Sequence, residues 1–218
     1  MNSYAFIIII LIILAYRTNN DISEYFTSSY FTSENMVSSI DQRKYKIASG
    51  LDNMKGAADR IALSHRFVIE FLRYMRMKYI VYKSGSPHNQ KIAQLLLQNY
   101  NPDTIFENHP KPGDDTSFVT NKGEEFGICL REKQTGNNEF HDVNIMQFVL
   151  LHEMAHLGVE SYGHGYEFWS TMKFLITEAN QAELHTPIDY SIHPQFYCGQ
   201  SVTFNPYFST DLKTRYKI

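Results

Sequence analysis

A chain of 218 residues, 43% hydrophobic and 20% charged, is long enough for one domain with a substantial core plus appendages, and too apolar to be disordered. Its net charge of −3 provides no global positive field, so nucleic acid is not an expected partner unless a local patch exists. The 2 cysteines, Cys129 and Cys198, exclude a disulfide framework and a Cys-rich zinc module; they are expected as free, partly buried thiols, with one bridge in an oxidising compartment as the alternative.

The chain opens on an uncharged apolar run, Ala5 to Ala15, flanked by Tyr4 and Tyr16 and followed by Arg17. It is shorter than the roughly 20 residues of a usual spanning helix. No Lys or Arg precedes it and no small-x-small site follows it. Residues 1–16 are therefore expected as an uncleaved N-terminal membrane anchor that crosses at a modest mismatch cost, with a cleaved signal as the alternative. Residues 17–48, rich in Ser, Thr and Asn, are expected as a tether, and the cluster Arg43-Lys44-Tyr45-Lys46 as solvated surface.

From Asn53 the apolar residues Met54, Ala57, Ala58, Ile61, Ala62, Val68, Phe71, Leu72 and Met75 recur at three- and four-residue spacing, which predicts a long amphipathic helix with His65 hydrogen-bonded beside its apolar face. Tyr79-Ile80-Val81-Tyr82 is β-prone and is expected as a strand. A second helix is predicted from about Asn89 to Asn99, and a proline-rich loop from Pro102 to Gly113. Residues 117–120 and 126–131 predict a β-hairpin turning at Gly123, whose edge could accept an extended peptide. A loop around Gln134 to Asn138 follows, and Asp142 or Asn144 caps the next helix.

That helix carries His152-Glu153-Met154-Ala155-His156 after the apolar residues Ile145, Met146, Phe148, Val149, Leu150 and Leu151. Residues four apart lie on one helical face, so His152 and His156 can both reach one Zn²⁺, and Glu153 falls beside the metal as general base for its water. A catalytic zinc needs a third protein ligand and an open fourth position. His164 is the choice, because Gly158 and Gly163 let the helix end and the chain fold back. Glu160, Glu167 and Glu178 are the competitors. A further helix is predicted from Tyr166 to about Ala182, and the remaining tail, with Pro187, Pro194 and Pro206, as ordered loop.

His152-Glu153-Met154-Ala155-His156-Leu157 followed by His164-Gly165-x-x-Phe168-Trp169 resembles the signature of the WLM and SprT-like metallopeptidases, and is most similar to WLM-type proteins of large DNA viruses. The resemblance covers about residues 116–180. It implies His152, His156 and His164 on one zinc ion, Glu153 as general base, and Phe168 and Trp169 as packing beneath the site. Tyr190 or Tyr197 is a candidate donor to the oxyanion, packing being the commoner role of such aromatics.

The expectation is an α+β chain: a minimal zincin-like metallopeptidase domain over residues 49–218, helices packed on a small sheet, behind an N-terminal hydrophobic anchor. Its expected function is that of a zinc-dependent, membrane-tethered endopeptidase acting on a protein or peptide, in the host membrane or the virion. A non-catalytic zinc-stabilised membrane or virion protein and a DNA-dependent crosslink protease are the alternatives.

Overall fold

The computed structural model describes residues 32–109, 116–132 and 139–212. The apolar run of residues 5–15, the first half of the expected tether and the loop expected at 134–138 lie outside them. In chain order the elements are β1 (Ser33–Val37), β2 (Lys44–Ala48), α1 (Met54–Met75), a π-helical extension (Arg76–Val81), α2 (Pro87–Asn99), β3 (Ile105–Asn108), β4 (Phe118–Thr120), β5 (Glu125–Cys129), α3 (Val143–Leu157), α4 (Tyr166–Gln181), β6 (Gln195–Tyr197), β7 (Gln200–Val202) and a short 3₁₀ turn (Pro206–Phe208).

Helix α1 begins where the Asn53 side chain accepts from the Gly56 amide, and Ala57, Ala58, Ile61, Ala62, Val68, Phe71, Leu72 and Met75 are buried as the spacing predicts. His65 meets the Tyr100 hydroxyl at 2.8 Å. The stretch expected as a strand instead continues the helix in wider turns, with the Tyr82 amide bonded to the Met77 carbonyl. Tertiary contacts override β-propensity here: Tyr79 is buried edge-on against Phe174, and Lys78 pairs with Glu178 of α4 at 2.6 Å.

Residues 33–48, expected within the tether, form an antiparallel hairpin in which Tyr45, Ile47 and Ala48 are buried. A buried ion pair, Arg131 Nε to Glu107 Oε1 at 2.8 Å, ties the hairpin in, because Glu107 also accepts from the Ala48 amide and Arg131 donates to the Asp52 carbonyl. The predicted β4–β5 hairpin forms, and β3 adds parallel to β5, so β4 is an edge strand of a three-stranded sheet.

Three further expectations are corrected. Among the described residues, four helices pack with three separate small sheets, of two, three and two strands, rather than with one sheet. The class is α+β, but the single-sheet zincin-like arrangement is not what the strands form, since short strands separated by whole helices close locally. No described helix is long and apolar enough to cross a membrane, so the described fold includes no membrane anchor. Cys129 and Cys198 are not free thiols: they form a disulfide between the end of β5 and the β6–β7 turn. The preference of Cys for apolar interiors holds for both, but the tail doubles back onto the sheet and brings them together.

Candidate metal centre

Helix α3 is buried nearly all round, with Ile145, Met146, Phe148, Leu150, Leu151, Met154, Ala155 and Leu157 in the core. Asp142 caps its start by accepting from the Asn144 amide, as predicted, and Gly158 caps its end. On so apolar a helix, His152 and His156 reach partial exposure only where its last turns open into a cleft. Gly163 adopts φ of 78°, which only glycine takes at little cost, and the loop it bends returns His164 to the histidines of α3.

The three imidazoles converge. One nitrogen from each of His152, His156 and His164 lies within 4.8 Å of the other two, and the Nε2 atoms of His152 and His164 face each other at 3.0 Å. Two nitrogens bound tetrahedrally to Zn²⁺ at about 2.0–2.1 Å stand roughly 3.3 Å apart, so this donor set fits that ion with modest adjustment. The Phe168 ring, fully buried, underlies all three at centroid distances of 4.8, 4.3 and 4.6 Å, and Trp169 backs His152 and His164. Among the described residues, no other His, Cys, Asp or Glu joins this group. Glu160 pairs with Lys91 and Glu178 with Lys78, which takes both away from the metal position.

Electrostatics prepares the donors. Burial, then repulsion from His156 and His164, pushes His152 down to about 3. Burial, followed by His164 and the Lys122 ammonium, brings His156 to about 4. Both rings are therefore neutral near pH 7, the form that binds a metal. Glu153, only 3% exposed, lines the same cleft as His152 and His164.

The cleft, with a volume of about 380 Å³, runs between α3 and a wall made by Thr116, Ser117 and the β6–β7 hairpin. Tyr197 belongs to this wall, but its hydroxyl donates to the Cys129 carbonyl at 2.7 Å and meets Ser117 Oγ at 2.6 Å, while Ser117 also accepts from the Cys129 amide. Burial raises its pKa, and neighbouring Glu153 adds to the rise. Tyr190 is fully buried against Phe148, away from the cleft lining. The structure thus places Tyr197 in the cleft wall and Tyr190 in the core against Phe148. The sequence reading missed Ser117 as part of the wall and Lys122 as a neighbour of His156; an Asn-Lys-Gly turn announces left-handed backbone but not where its lysine reaches.

Comparison with known proteins finds uncharacterized relatives. An uncharacterized protein of Acanthamoeba polyphaga mimivirus is 30% identical over 166 residues, which span 74% of this chain and 78% of that protein. The chain belongs to the family of that viral protein. An uncharacterized protein of Invertebrate iridescent virus 6 is 35% identical over 69 residues, 32% of this chain and 38% of the relative. Both relatives are viral, which makes this a member of a viral family. No family model matches, and no solved structure matches, so the zincin-like fold has no support from either side.

Proposed function

We propose that this viral protein is a zinc-dependent endopeptidase, with one zinc ion held by His152, His156 and His164. The observation that carries the proposal is the convergence of three imidazoles within 4.8 Å of one another, two of which line a cleft together with a buried carboxylate. A purely structural ion has no use for Glu153 there. The motif's resemblance to the WLM and SprT-like metallopeptidases supports the same reading.

When bound, zinc supplies a Lewis acid and lowers the pKa of a coordinated water toward about 7. The remaining work falls to the chain. Glu153 accepts a proton from the attacking water and returns it to the amine that leaves. Its burial keeps competing solvent from the carboxylate, and His152 and His164 line the cleft beside it. A protein or peptide segment in extended form suits the cleft, since β4 is an edge strand whose entry, Thr116 and Ser117, lines it. Phe148, Val149, Trp169, Val202 and Phe204 give the same cleft apolar surface for side chains.

The test is metal analysis and peptide-library cleavage by the full chain beside Glu153→Gln. Both proteins are expected to hold one zinc, with cleavage reduced about 10²–10⁴-fold in the variant, the usual contribution of a general base. Full cleavage by a zinc-loaded Glu153→Gln would overturn the role of Glu153. A zinc-loaded parent that cleaves nothing would instead favour a non-catalytic ion.

A further inference from the structure

Lys122 lies far from the metal motif in sequence, yet it touches the segment that carries the third donor. The β4–β5 turn places Asn121, Lys122 and Gly123 at φ of 42°, 58° and 110°, three successive left-handed residues, two of which are not glycine. Such backbone is costly for side-chain-bearing residues and persists only where surrounding contacts demand it. The demand is visible at Gly123, where an added Cβ would meet the Asn99 carbonyl oxygen at 2.1 Å. The turn is pressed against the end of α2, and this aims Lys122 along the C-terminus of α3.

There the ammonium donates to three backbone carbonyls: His156 at 3.0 Å, Val159 at 2.7 Å and Ser161 at 3.0 Å. The first belongs to a metal donor, and the other two lie on the loop leading to His164. Asn99 Nδ2 adds a bond to the Leu157 carbonyl at 2.9 Å. Helix ends leave carbonyls without intrahelical partners, and a cation is favoured there by the helix dipole. An ammonium has three donors in a tetrahedral spray, which matches three converging carbonyls; a planar guanidinium does not. No described carboxylate forms a salt bridge with Lys122, since the nearby Glu160 is taken by Lys91. The side chain therefore fastens backbone to backbone, with the Tyr162 ring 5.0 Å away.

We propose that Lys122 is a positioning residue for the metal centre: it pins the loop 157–164 to the end of α3, and so holds His164 at the distance from His152 and His156 that one ion requires. This rests on the metal reading given above, but its structural half can be measured without metal. Partners that orient a ligand from outside the coordination sphere typically change metal affinity 10–100-fold when removed.

The experiment compares the full chain with Lys122→Met and Lys122→Arg. Backbone ¹⁵N order parameters of residues 159–164 in the metal-free proteins report the pinning, and competition with a chromophoric chelator reports zinc affinity. In Lys122→Met the order parameters are expected to fall from about 0.85 to below about 0.6, and zinc affinity to fall 10–100-fold. Lys122→Arg, which keeps the cation but not the geometry of three donors, is expected to lose less of both, and it answers the question if the methionine variant does not fold. Parent-like order and affinity in whichever variant folds would overturn the proposal. So would a loosened loop with unchanged zinc affinity, since Lys122 would then be structural only. A parent that binds no zinc would sink the metal reading, and the order parameters alone would then decide whether Lys122 pins the loop.

Discussion

The floor of the cleft and its wall are assembled in opposite ways. The floor comes from one contiguous stretch, residues 152–169, in which a helical repeat sets His152 over His156 and a short glycine-bent loop returns His164 above Phe168. The wall joins segments 80 residues apart, Ser117 and Tyr197, and is closed by their hydrogen bond, by the Cys198 amide on His141 Nε2 at 3.1 Å, and by a disulfide spanning 69 residues. Local geometry can place ligands with little ordering cost beyond the helix itself. A wall built from distant segments must overcome loop-closure entropy, and here a covalent bond contributes to doing so.

That contrast can be broken from either side. Phe168→Ala attacks the floor: a fully buried ring in contact with three imidazoles is removed, and a loss of about 3–5 kcal/mol in urea unfolding is expected, along with zinc affinity. Replacing Cys129 and Cys198 together by alanine attacks the wall. The chain-entropy account for a loop of this length gives roughly 4 kcal/mol as an upper figure, and measured losses run about 2–4 kcal/mol. Zinc affinity should stay within about threefold of the parent while KM for a cleaved peptide rises, because separated sites add independently. If the cysteine variant lost as much zinc affinity as Phe168→Ala, floor and wall would be one unit and the contrast would fail.

The same contrast explains what could be read from residues alone. The histidine spacing, the Asp142 cap, the amphipathic α1 and the turn at Gly123 were legible, because each is a local pattern that local physics decides. The disulfide was not, since its cysteines meet only once the tail has folded back. Tyr79 to Tyr82 read as a strand because propensity cannot register Phe174 and Glu178 waiting on α4. Residues 33–48 read as tether because the burial of Tyr45 and Ile47 depends on a core built later in the chain. The zincin-like fold and the anchor were drawn from a motif and a composition, neither of which specifies how strands associate into sheets.

Acidification sharpens the comparison most gently, and His185 provides the control. His152 and His156 are held neutral by burial and then by their charged neighbours, whereas burial alone brings His185 to about 4; it is 3% exposed, with Nδ1 3.4 Å from Gln147 Oε1. A histidine whose folded pKa lies below its unfolded value near 6.5 favours the folded state in its neutral form. Its contribution is therefore complete above about pH 6.5 and is lost as pH falls from there toward 4. For His185 alone the loss between pH 7 and 5 should be on the order of 1–2 kcal/mol, read as a falling urea midpoint in metal-free protein. His185→Gln should show a shallower decline across that window while His152 and His156 keep the remainder. Adding zinc should steepen the acid limb only through the floor, because protons and metal compete for those three rings and not for His185. Equal slopes in parent and His185→Gln would mean that this buried imidazole is not held neutral, and that burial alone is not enough to ready an imidazole in this fold.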